Sequence, residues 1–105
     1  MKRVTICNDY LNEISRNVDA FIKDGCLHIE GQDLGKNVPF GDGEYEYFYT
    51  FNKEETRRFA MVLELPEAND DFLDKLVEKF GGSNWYFDFM EFVRDHELKY
   101  EAFSC

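Results

Sequence analysis

The stretch Asn17-Val18-Asp19-Ala20-Phe21-Ile22-Lys23-Asp24-Gly25-Cys26-Leu27-His28-Ile29-Glu30 decides the fold class, because it reads as a β-hairpin. Val18, Ala20 and Ile22 fall on one side of an extended chain, and Asp19, Phe21 and Lys23 on the other. That is the period of two that a half-buried strand requires. Asp24-Gly25 supplies the two central residues of a type I′ turn, both of which need φ > 0. Leu27 and Ile29 then resume the apolar face.

Before the hairpin, residues 2–7 read as a short strand rich in β-branched side chains, and residues 8–16 as a polar, irregular segment or a short helical turn. After it, residues 31–43 read as a loop, with Gly31, Gly35, Gly41, Gly43 and Pro39. Glu44-Tyr45-Glu46-Tyr47-Phe48-Tyr49-Thr50-Phe51 has the highest β-propensity of the chain. Tyr45, Tyr47, Tyr49 and Phe51 share one side, and Glu44, Glu46, Phe48 and Thr50 the other. Asn52 and Glu55 form a capping-box-like start for a helix running to about residue 64 and ended by Pro66. Asn69 caps a second helix whose stripe is Phe72, Leu73, Leu76, Val77 and Phe80, stopped by Gly81-Gly82. Ser83 opens a third, to about residue 96, with Trp85, Phe89, Phe92 and Val93 inward. Residues 99–104 read as a last strand. Strands first, then helices, then a closing strand predict an α+β domain. Its antiparallel or mixed sheet has about five strands, with about three helices on one face.

The 105 residues suit one domain, spanning residues 1–105. The 11 Phe, 6 Tyr and 1 Trp argue for a packed core despite 32% charged residues. The net charge of −10 disfavours nucleic acid and anionic membrane as partners and favours cationic ones. Residues 1–40 carry a net charge of −1 and residues 41–105 one of −9. Cys7, Cys26 and Cys105 cannot all pair within one chain, and no C-x-x-C is present. They read as reduced thiols, with Cys7 and Cys26 in the core. No signal peptide is legible in Met1-Lys2-Arg3-Val4-Thr5-Ile6-Cys7, and no apolar run reaches the roughly 20 residues a membrane helix needs. A cytoplasmic location is expected.

Catalysis finds little footing. The glycine spacing matches neither phosphate-cradling fingerprint, and no G-x-S-x-G is present. His28 and Glu30 share a strand face, but an ordinary half-exposed histidine explains that spacing as well as a metal ligand would. His96, beside Asp95 near a helix C-terminus, is accounted for by the helix dipole. Cys26 and His28 also share a face, without a third group to activate the thiol. A non-enzymatic protein with no metal or cofactor is expected, and a small metal-dependent enzyme is the minor alternative.

The acids are the more informative feature. Glu64, Glu67, Asp70, Asp71 and Asp74 lie within eleven residues that contain no Lys or Arg. Asp42, Glu44 and Glu46 form a second such group beside Tyr45 and Tyr47. Carboxylates beside flat aromatics suit a protein that covers a basic cleft, the charges giving steering and the rings contact area. A solvated face and helix capping by Asp70 and Asp71 account for part of the same pattern. The tyrosine face either packs beneath a helix or forms an interface. A self-associating structural or regulatory domain is the alternative, with a homo-oligomer as its product.

Three stretches, Glu30-Gly31-Gln32-Asp33-Leu34-Gly35, Tyr45-Glu46-Tyr47-Phe48-Tyr49 and Lys99-Tyr100-Glu101-Ala102-Phe103-Ser104, resemble a group of small acidic bacterial proteins, mostly uncharacterised. In size, acidity and aromatic content the chain is also similar to immunity proteins of contact-dependent and polymorphic toxin systems. That resemblance implies a cytoplasmic inhibitor that binds one basic toxin domain, such as a nuclease. It carries over no functional residue.

Overall fold

The computed structural model describes residues 1–36 and 43–105. The middle of the expected glycine loop, with Asp42, lies outside the described residues. Among those described, five strands form one antiparallel sheet: β1 (Arg3–Leu11), β2 (Ile14–Lys23), β3 (Cys26–Gly35), β4 (Glu44–Phe51) and β5 (Glu101–Ser104). Their spatial order is their chain order. Helices α1 (Lys53–Val62), α2 (Asp70–Phe80) and α3 (Trp85–Asp95) come between β4 and β5. The architecture is α+β, as the order of elements predicts.

The hairpin at Asp24-Gly25 forms as read, with φ of 53° and 79° at the turn. Two expectations around it need correction. Residues 8–16 are not irregular: β1 runs to Leu11, and a second two-residue turn, Asn12-Glu13, leads into β2. Both turn residues have positive φ, 54° and 64°. A glutamate there is the reason the turn is hard to read, since the usual second residue is glycine. Residues 31–35 are not loop either, because β3 stays in register with β2 to Gly35 and with β4 to Leu34.

Register puts Val18, Ala20, Leu27, Ile29, Tyr47 and Phe51 on one face, and they form the core with the helices. Phe59, Phe72, Phe80, Phe89 and Trp85 fill it from the helix side. Several rings meet edge to face: Phe51–Phe59 at 5.5 Å, Phe59–Phe72 at 5.5 Å and Phe80–Phe89 at 5.2 Å. The rings' positive edges then meet negative faces, which adds to simple burial. Of the expected helix stripes, Val77 and Phe92 are only half-buried. A bulge at Ile6 bends β1, and the Ile6 carbonyl accepts the Gly82 N–H at 2.9 Å, tying the sheet edge to the α2–α3 connection. Cys7 is buried as expected. Cys26 is not, lying half-exposed on the opposite face at the end of its strand.

Helix capping follows the sequence in α1 and α2. Asn52 Oδ1 accepts the Glu55 N–H at 2.8 Å, and Asn69 Oδ1 accepts the Asp71 N–H at 3.0 Å. The reciprocal half of the α1 capping box has been redirected. The Glu55 carboxylate is buried and accepts from Arg58 Nη1 at 2.6 Å and from the Lys99 N–H at 2.8 Å. Arg58 also reaches the His96 and Glu97 carbonyls. Glu55 therefore ties α1 to the chain entering β5. The Arg58 bond, with the Lys99 N–H, holds its carboxyl below the ordinary value of 4.5. A carboxyl depressed on folding stabilises the native state above its unfolded value and loses that contribution as pH falls through the folded one. Glu55→Gln is expected to be less stable than wild type at neutral pH, with the gap narrowing below about pH 4.5. Urea unfolding at about pH 7 and about pH 3 measures it, and a constant gap would assign the effect to packing.

Candidate functional site

Three surfaces concentrate charged side chains, two of them together with aromatic rings. The first is a cleft of about 330 Å³ on the helix side of the sheet, lined by Arg16, Asp33, Tyr45, Tyr47, Tyr49, Trp85 and Tyr86. Register builds it from cross-strand rows. Tyr45, Asp33, Arg16 and Asp9 form one row, and Tyr47, Gly31, Val18 and Cys7 the next. The Tyr47 hydroxyl donates to Asp33 Oδ1 at 3.2 Å, and Arg16 Nε lies 3.4 Å from the same oxygen. Cys7 Sγ donates to Asp9 Oδ2 at 3.5 Å, while Asp9 Oδ1 is buried without a hydrogen-bond partner among the described residues. Burial, reinforced by Asp33, raises the Tyr47 hydroxyl above its ordinary value. Burial and the neighbouring Tyr86 do the same to Tyr49. Burial and then Asp9 push the Cys7 thiol up to about 11. At neutral pH these groups hold their protons, so Cys7 beneath the cleft is a thiol and the Tyr47 proton is committed to Asp33.

The second surface joins α1 to α2. Glu64, Glu67, Asp70, Asp71 and Asp74 are all exposed. Among the described residues, only Asp74 meets a cation, Lys2 Nζ at 2.8 Å. Asp70 and Asp71 occupy the first turn of α2, where the helix dipole favours them.

The third surface is the sheet face that none of the described helices covers. Its rows are Phe103–Phe48–Glu30–Asp19 and Glu101–Thr50–His28–Phe21–Arg3, followed by Glu46–Gln32–Asn17. Phe21 is only 6% exposed although it lies on this open face. His28 stacks on one of its sides at 5.0 Å, and the Arg3 guanidinium sits 4.4 Å from its centroid. Arg3 also bridges Glu30 at 3.1 Å and Asp19 at 3.7 Å. Phe48 and Phe103 pair at 6.1 Å, and Phe103 is 66% exposed.

The site residues expected from sequence are thus dispersed. Tyr45 and Tyr47 face the helix side, and Tyr47 is buried beneath the cleft, whereas Glu44 and Glu46 point from the opposite face. The rings that accompany those two acids are Phe48 and Phe103. Alternation along β4 already puts Phe48 with Glu44 and Glu46. The pairing with Phe103 depends on a register with β5 that one strand's sequence does not contain. His28 and Glu30 share a face as read, but His28 is engaged with Phe21 and Glu30 with Arg3. Among the described residues, no three His, Cys, Asp or Glu are arranged to hold a metal ion. His96 ends α3 with its Nδ1 2.9 Å from the Phe92 carbonyl oxygen. Among the described residues, no helix is long and apolar enough to cross a membrane.

No protein-family model matches the chain, and no curated protein or solved structure matches it. What the fold and surfaces define is a small acidic α+β domain with one sheet face left uncovered by the described helices.

Proposed function

We propose that this chain is a non-enzymatic protein-binding module that covers a basic surface of its partner, as an immunity protein or inhibitor of a basic toxin or nuclease would. The observation that carries the reading is the exposed run Glu64, Glu67, Asp70 and Asp71, whose carboxylates have no cation in contact among the described residues. Such charges raise the encounter rate with a cationic partner and select against anionic ones. The resemblance to immunity proteins in size and acidity points the same way. Cys7 has a carboxylate beside it and a raised pKa, the reverse of what activates a thiol nucleophile.

The test is affinity capture from cells of the source organism, washed at low and then high salt, beside a bait carrying Glu64→Lys, Glu67→Lys and Asp71→Lys. A basic protein retained in stoichiometric amount by wild type, released by salt and lost or slowed about ten-fold on the reversed bait is the expected result. Equal retention by both baits would remove the run from the interface. No basic protein on either bait would overturn the function, leaving self-association as the alternative.

A further inference from the structure

We propose that the uncovered sheet face takes an arginine of the partner onto the Phe48–Phe103 pair, with its charge among Glu30, Glu46 and Glu101. The proposal rests on the reading that the partner is basic, and it names where and by which side chain contact is made.

The molecule contains the filled version of this arrangement. On the same face, Arg3 lies over Phe21 at 4.4 Å and pairs with Asp19 and Glu30. A ring face and two carboxylates there hold one guanidinium. Toward β5 on the same face a ring pair again lies among carboxylates; Glu30 is already paired with Arg3, whereas Glu46 and Glu101 meet no cation among the described residues. Phe48 opposes Phe103 across β4 and β5, and Glu30 lies directly across from Phe48 on β3. Glu46 is two residues from Phe48 along β4, and Glu101 two residues from Phe103 along β5, so both project from this face. Neighbours of that kind sit within reach of a long side chain. Neither Glu46 nor Glu101 has an ion-pair partner among the described residues, and Phe103 stands 66% exposed.

Charge complementarity selects the occupant. The face carries Asp19, Glu30, Glu44, Glu46 and Glu101 against Arg3 and Lys23, so a second copy would bring like charge to like. A guanidinium is planar, stacks on aromatic rings and sheds water more readily than an ammonium, so arginine fits better than lysine.

The experiment titrates the protein with an end-capped Gly-Arg-Gly-Arg-Gly peptide and its lysine counterpart, following amide and ring resonances by NMR. The expected result is movement of the Phe48 and Phe103 rings and of Glu46 and Glu101, with weaker binding of the lysine peptide. Phe103→Leu, which keeps apolar area but removes the ring, should weaken binding about five-fold or more. Glu101→Gln should weaken it about two- to five-fold and reduce its salt dependence. Phe103 is exposed, so both variants should retain the near-ultraviolet dichroism of the folded core. Equal binding of the two peptides, or binding unaffected by Phe103→Leu, overturns the proposal. Shifts confined to residues 64–74 overturn this surface while leaving the basic-partner reading intact, and no shift anywhere counts against both. Sedimentation equilibrium closes the remaining route: a dimer abolished by Phe103→Leu would make the occupant a second copy and overturn the proposal.

Discussion

Gly31→Ala is expected to cost about 3 kcal/mol of stability, at the upper end of the overpacking range. A Cβ at this position would lie 1.9 Å from Tyr47 Cε2 and 2.2 Å from its Cζ. Gly31 and Tyr47 are direct cross-strand partners, and the tyrosine ring lies flat across the glycine. The ring has nowhere easy to go. Its hydroxyl is tied to Asp33, and Tyr45 and Tyr49 flank it at 5.7 and 6.1 Å. Relief should come from the partner. In a Tyr47→Ala background the same substitution should be neutral or stabilise by about 0.5 kcal/mol, since alanine restricts the unfolded chain more than glycine does. Chemical denaturation of the four proteins in this cycle measures the coupling. An equal cost in both backgrounds would show that the ring contact is not the cause.

Thr56→Val should be at least about as damaging, at about 2–6 kcal/mol, although the two side chains nearly match in volume. Thr56 is fully buried in α1, where its Oγ1 accepts the Leu27 N–H at 2.9 Å and donates to the Phe51 carbonyl at 3.0 Å. Valine leaves both backbone groups buried and unpaired, at roughly 1–3 kcal/mol each. Thr56→Ser keeps the hydroxyl and loses one methyl, about 0.8 kcal/mol by burial alone, so it should be the milder change. Equilibrium unfolding ranks the pair, and hydrogen exchange at Leu27 reports the lost bond directly. Serine as costly as valine would mean that the methyl, not the hydroxyl, carries the effect. The bond locks α1 against β3 and β4. Those two strands present Glu30, Glu46 and Phe48 on their far side.

Both positions mark the limit of reading from sequence. Gly31 reads as the start of a glycine loop, and only the ring lying over it explains why the strand needs glycine there. Thr56 falls at an unremarked helix position, since its two partners are 29 and 5 residues away in the chain. Glu55 is legible as a capping residue. Its use by Lys99, 44 residues on, is not, because that depends on where the chain returns to the sheet.

Local chemistry was enough for the hairpin at Asp24-Gly25, the strand ending at Phe51, the Asn52 and Asn69 caps, and the stripe of α2. In each case the signal and the structure it specifies lie within a few residues, so period and capping decide the outcome. The α+β class followed from the order of those elements, and the net acidity from composition. Register and packing decided the rest. They extended β1 and β3 through segments with weak local signals, because unpaired strand neighbours were available to hydrogen-bond them. They turned Tyr45 and Tyr47 away from Glu44 and Glu46, divided the acids between two surfaces, and brought Phe103 beside Phe48. A sequence states which side of its own strand a residue occupies. Which strand lies next to it, and which face the helices cover, depend on contacts between residues far apart in the chain.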